Sequence, residues 1–311
     1  MVGSVIALLA SVAAEISPFC GAELATPTCP PDWGGQAPTF WSYDRRVTNW
    51  YTPETLTHFK SPPVVETAMG VEFAPINTLG FLNLAELQKR WADRYPKLDE
   101  MPALPSSIGV VQGVPQFRLM EGGPDVRVWA TGVDDGLLVQ TQRDRLILNW
   151  RKAFGDGTYP GYDTLRSKFE AVWADLISYL GEIEQAQPVP TSAEFTYVNH
   201  VGFNEGENIE DVLSVVSHSD RPLPGESATT QLQVVRVVQQ SETDPFTAQI
   251  EVTGSPQFIE NRRVLAMNVT TKVLFATGGD VLQALDAAHA LSSHTFDNIT
   301  SLTKHQEWEL Q

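Results

Sequence analysis

A chain of 311 residues with 42% hydrophobic side chains has material for one large core or two ordinary ones, which excludes disorder throughout. Its formal net charge of -17 and pI near 4.7 repel phosphate backbones and anionic lipid, both of which bind mainly through Lys and Arg, so neither nucleic acid nor a membrane is expected as a partner. No stretch approaches the ~20 apolar residues a membrane helix requires, and the two cysteines, Cys20 and Cys29, leave the rest of the chain without a disulfide framework.

At the start, Val2 to Ala14 has the length of a signal-peptide apolar region but no Lys or Arg before it, which argues against export and for a cytoplasmic protein. Residues 16–63 are rich in Pro, Gly, Thr and aromatics and show neither helical nor strand periodicity. Trp33, Trp41, Trp50 and Tyr51 are more rings than a free linker carries, so residues 1–60 read as an aromatic extension running over the body or a partner.

From Val64 the pattern sharpens. Val65, Thr67, Met69, Val71 and Phe73 alternate with Glu66, Ala68, Gly70 and Glu72, the period of a half-buried strand. Leu84, Leu87, Trp91 and Tyr95 share one face of a helix predicted over 79–95, which Pro96 ends. Strands are expected at 116–120, 126–131 and 136–150, parted by Gly122-Gly123-Pro124 and Asp134-Asp135-Gly136. A long helix follows, with Asp163 as its N-cap and Leu165, Phe169, Val172, Trp173, Leu176, Ile177 and Leu180 as its stripe. A strand at 194–203 closes a first unit over 61–204.

The second unit, 205–311, opens with an acidic loop and repeats the order. Strands are predicted at 231–239, 247–253 and 263–276, and Gly278-Gly279-Asp280 starts a final helix carrying Val281, Leu285, Ala288, Phe296, Ile299 and Leu302. The expected class is α+β: curved antiparallel sheets with long amphipathic helices packed on one face, in two related units.

No complete catalytic motif is present. There is no GxxxxGK[ST], GxGxxG or GxSxG, and Phe154 to Tyr162 (FGDGTYPGY) reads as a glycine-rich turn into a helix. His289 and His294 are five apart and point about 140° apart around a helix, so they do not share a metal ion; His289 is expected beside the core stripe and His294 in solvent. No cofactor or metal is expected.

Four residues remain as ligand or partner candidates. Arg143 and Arg145 flank Asp144 within the expected strand 137–150, and alternation sets both guanidinium groups on one sheet face, where they recognise an anion or form cross-strand ion pairs. Tyr197 and His200 put a phenol and an imidazole on nearby positions of a strand end, with Asn199 on the opposite face; Glu194 or Glu205 would supply the carboxylate to orient the imidazole.

The segments SPPVVETAMGVEFAPI at 61–76, QTQRDRLILNWRK at 140–152, YPGYDTLRSKFEAVWADLISYL at 159–180 and TYVNHV at 196–201 together resemble a sporadically distributed bacterial family of uncharacterised proteins. The ending, His289 to Trp308 with Phe296, Ile299-Thr300 and Trp308, is similar as well. The resemblance supplies no activity or catalytic residues. Patchy occurrence implies genes that travel horizontally, as accessory or defence-type functions do. Residues 1–60 depart from the family pattern and read as a fusion, a lineage-specific arm or a misplaced start.

The leading expectation is a non-catalytic cytoplasmic protein that binds another protein, as a regulatory member of an accessory system, with a homodimer as one form of that partnership. Its rival is a small-ligand-binding protein or enzyme with a cavity between the sheet and the helix 163–180, and Arg143, Arg145, Tyr197 and His200 near its mouth.

Overall fold

Alternation builds the centre of the molecule. In β1 (Val64–Phe73) the side chains of Thr67, Met69, Val71 and Phe73 are buried on one face, while Glu66 and Glu72 lie on the other. The computed structural model describes residues 56–104, 126–133, 135–155, 157–216, 231–239, 247–275 and 279–309. The chain divides into Met1–Arg45, outside those residues, and Arg46–Gln311. The two cysteines, most of the aromatic extension and the strand expected at 116–120 also lie outside the described residues.

After β1 come α1 (Phe81–Lys89), β2 (Lys97–Pro102), β3 (Val126–Thr131), β4 (Asp135–Gln142), β5 (Arg145–Gly155), α2 (Tyr162–Glu182) and β6 (Pro190–Gly202). The second half adds α3 (Ile209–Val212), β7 (Leu232–Gln239), β8 (Thr247–Ile259), β9 (Arg262–Leu274), α4 (Val281–Ile299) and α5 (Leu302–Glu307). All nine strands form one antiparallel sheet in the order β2-β3-β4-β5-β1-β6-β9-β8-β7.

This overturns the expected fold class of two related units with long helices on separate curved sheets. The described residues form one open sheet, with 43% of them in strands against 29% in helices, and α1, α3 and α5 are short. The reason lies in β6. Its Thr67-facing edge pairs β1 through Tyr197, and its other edge pairs β9 in an unbroken register from Ser192–Leu274 to Gly202–Val264. Periodicity reports which face a residue takes and says nothing of which strand it bonds.

The expected strand 136–150 is a hairpin. Gln142 pairs Arg145, and Arg143-Asp144 form the two-residue turn between β4 and β5. Apolar runs on both sides of the RDR sequence disguised the reversal. At the other end of the chain, Asp280 caps α4, accepting from the Leu282 and Gln283 backbone N–H groups at 2.7 and 3.2 Å. The expected final helix stops at Ile299, and Leu302 belongs to α5 instead.

Leu165, Phe169, Val172, Leu176 and Leu180 are fully buried beneath α2, and Ile177 is exposed. The space between α2 and the sheet is therefore packed solid with Phe73, Leu146 and Leu148. Trp308 and Phe296 close the far end of the core around Phe59, whose strand-like neighbour Ser61 donates its backbone N–H to the Trp308 carbonyl at 3.1 Å. Among the described residues no helix is long and apolar enough to cross a membrane.

Candidate ligand-binding cleft

Open space lies at the N-terminal end of α2, where the 157–161 loop, α4, β6 and the segment 56–62 meet around a cleft of about 1400 Å³. Gly157 and Gly161 hold φ of +85° and +81°, so the backbone at these two positions takes a path closed to most residues, and the 157–162 segment brings Tyr159 and Tyr162 to the cleft wall. α4 contributes Asp286, His289 and Ser293, which at offsets of three and four share one helical face. β6 contributes Tyr197 and Asn199.

The rings interlock. Tyr162 stacks on His289 with centroids 3.7 Å apart and planes 2° from parallel, and Phe195 meets both rings edge-on at 5.6 and 5.1 Å. Tyr159 in turn contacts Trp150 and Tyr197 edge-on. Beneath them runs a polar line. His289 Nε2 lies 3.0 Å from the Tyr197 hydroxyl and 3.2 Å from Ser293 Oγ. Tyr162 donates to Asp286 Oδ1 at 2.7 Å, and Arg166 clamps the same carboxylate through Nε and an Nη at 2.6 and 3.0 Å.

Burial governs how these groups titrate. It pushes His289 down to about 3, so the imidazole is neutral throughout the physiological range. Burial raises Tyr159, Tyr162 and Tyr197, with the Asp286 hydrogen bond adding to the rise at Tyr162. All three phenols are therefore protonated donors. Arg166 is raised by its hydrogen bond to Asp286 and stays charged. Tyr159 differs from its neighbours: its buried hydroxyl makes no well-formed hydrogen bond, and the polar group beside it is the Tyr197 hydroxyl, which is already within reach of His289.

Of the four residues singled out from the sequence, only Tyr197 reaches the cleft. His200 stands three positions further along β6 and so occupies the opposite face; the expected pairing of phenol and imidazole fails because strand side chains repeat every two residues. Asn199, expected opposite, is the one on the Tyr197 face. Burial, and then Lys152, lowers His200, and among the described residues no carboxylate bonds its ring. Glu194 shares its face but lies six residues away, and burial raises its carboxyl.

Arg145 is on that second face too, almost fully buried, with Glu72 at 3.4 Å and Asp144 at 3.4 Å. Glu72 also holds Lys272 at 3.0 Å, so the guanidinium belongs to a cross-strand ion network. Arg143 sits in the β4–β5 turn and does not share Arg145's strand position, which corrects the expectation that both lie on one face.

The cleft's other functional side chains went unnoticed in the sequence for different reasons. His289 was read only as a failed metal pair and a core neighbour, and it is indeed buried, while His294 is half-buried rather than in solvent. Tyr159, Tyr162 and Arg166 had one available signal, the φ-permissive glycines ahead of a long helix. Their meeting with α4 across 120 residues had none. Among the described residues no three His, Cys, Asp or Glu side chains converge as a metal site. No family model, curated protein or solved structure matches this chain.

Proposed function

We propose that the cleft binds an uncharged organic ligand that offers a carbonyl, ether or hydroxyl oxygen beside an apolar or aromatic body. The Tyr159 hydroxyl carries this reading. A buried donor without a well-formed hydrogen bond costs about 1–3 kcal/mol, and here it stands in the cleft wall beside the Tyr197 hydroxyl, which is engaged by His289, and near Tyr162 and Asp286, which bond each other. An apolar recess with a few convergent polar groups is the usual form of a small-molecule site. At about 1400 Å³ the cleft exceeds a drug-sized ligand, so its mouth stays solvated.

Binding is favoured over proton transfer. A general base works best with a pKa near the operating pH, and His289 at about 3 is far below it. Asp286, the nearest candidate to orient the imidazole, is engaged by Tyr162 and Arg166 instead. In the accessory-system setting that the sequence resemblance implies, such a protein acts as a non-catalytic sensor, with its protein-binding role on another surface.

The test is thermal melting of the full chain against a panel of hydroxylated and aromatic metabolites, because a ligand that binds only the folded state raises its melting temperature. Wild type should respond to at least one compound. The response should fall in Tyr159→Phe and vanish in Thr158→Trp, which fills the exposed lip of the cleft. A panel without a responder, or a response equal in all three proteins, overturns the reading.

A further inference from the structure

The two edges of the nine-stranded sheet are built differently. β2, at one edge, carries Lys97, Asp99 and Glu100 and ends at Pro102, which is how an edge is kept from pairing with another chain. β7, at the other, pairs only β8 among the described residues, and its eight residues LQVVRVVQ hold four valines, one charge and no proline. Val235 and Val237 are 49% and 64% exposed. A β-branched edge with little charge and no proline is a template for another strand.

The sequence of that edge says which strand. Gln233 to Gln239 reads QVVRVVQ in both directions, a palindrome centred on Arg236. An isologous two-fold contact sets residue i against j and j against i. Residues directly opposite in an antiparallel pair share a face, so a self-pairing register needs an even sum of residue numbers. With the axis at Arg236 that rule is met. Val235 then faces Val237 of the second copy, Val234 faces Val238, and Gln233 faces Gln239. Within Gln233–Gln239 each valine is set against a valine and each glutamine against a glutamine.

We propose that β7 is a homodimer interface, joining two copies edge to edge into one continuous antiparallel sheet with its two-fold axis at Arg236. The ladder of backbone hydrogen bonds supplies affinity, and the valine rows set the register. The two Arg236 side chains lie opposite each other on the axis, a like-charge contact that weakens the pairing; both are exposed and can splay into solvent. An eight-residue edge buries less than a standard interface, so a micromolar dimer is expected.

Analytical ultracentrifugation of the full chain at tens of micromolar is the experiment, with circular dichroism melting to verify each variant's fold. Wild type should sediment as a dimer. Val235→Lys with Val237→Lys, at two solvent-facing sites, should keep the melting temperature and raise the dimer dissociation constant by about a hundredfold or more. Arg236→Val, which relieves the like-charge contact, should tighten it. A monomeric wild type, a dimer indifferent to the double lysine variant, or an Arg236→Val dimer weaker than wild type would each overturn the proposal.

Discussion

Tyr162 lies flat on His289, 3.7 Å between ring centroids and 2° from parallel, although 127 residues separate them in the chain. The stack shuts water away from the imidazole. A neutral ring is what this environment accepts, and its protonation at low pH has to be forced.

Stability therefore depends on pH through His289. Its folded value of about 3 lies below the ordinary 6.5, so between those values the unfolded chain binds more protons than the folded one. The contribution is complete above about 6.5 and is lost as pH falls toward 3. Urea melts at pH 7 and pH 4.5 should differ less in His289→Gln than in wild type, by on the order of 2 kcal/mol. Equal pH sensitivity in both proteins would show that the imidazole is solvated.

Tyr159→Phe removes a buried hydroxyl that makes no well-formed hydrogen bond and has the Tyr197 hydroxyl beside it. Replacing an unsatisfied polar group by hydrogen leaves stability unchanged or raises it by about 1 kcal/mol. Chemical denaturation checks this directly. A clear loss of stability would mean that the hydroxyl is bonded within the protein and is not waiting for a ligand.

Lys304 is the most deeply buried charge described, its side chain 1% exposed and its ammonium 2.7 Å from Glu207 and 3.0 Å from Glu307. Lys304→Ala strands both carboxylates and should cost about 3 kcal/mol. Lys304→Met keeps the volume and should cost less. The two midpoints in urea distinguish packing from charge; equal losses would assign the effect to charge alone.

Gly136 turns the chain into β4 with φ of +71°, and a Cβ there would stand 2.7 Å from the Arg151 carbonyl. Gly136→Ala must bear both an unfavourable backbone and a clash against main chain, so a loss of about 2 kcal/mol or more is expected. Thermal unfolding measures it. A neutral outcome would show that the β4–β5 pair shifts its register at little cost.

Local patterns were legible wherever a residue's neighbours in sequence decide its fate. The alternation of Thr67, Met69, Val71 and Phe73, most of the stripe from Leu165 to Leu180 and the helix start at Gly278-Gly279-Asp280 read correctly, whereas the expected cap of α2 did not, because Gly161 stands at the N-cap and Asp163 lies inside the first turn. The RDR turn was missed because Leu137–Val139 and Leu146–Leu148 are apolar on both sides of it, and alternation carries straight through a two-residue reversal. Tyr197 was singled out with the wrong companion; a count of two per repeat sets it with Asn199, and only packing brings His289 to it.

The amino-acid sequence by itself determined the charge, the absence of known catalytic signatures and the faces of individual strands, because those are properties of composition and of short-range geometry. Tertiary structure alone decided that strands of both halves share one sheet and that a cleft opens where α4 and β6 meet the N-terminal turn of α2. Backbone N–H and C=O groups are the same in every strand, so pairing is chosen by long-range packing. The cleft exists where Tyr159 and Tyr162, from one glycine-permitted loop, meet a helix that begins more than a hundred residues later.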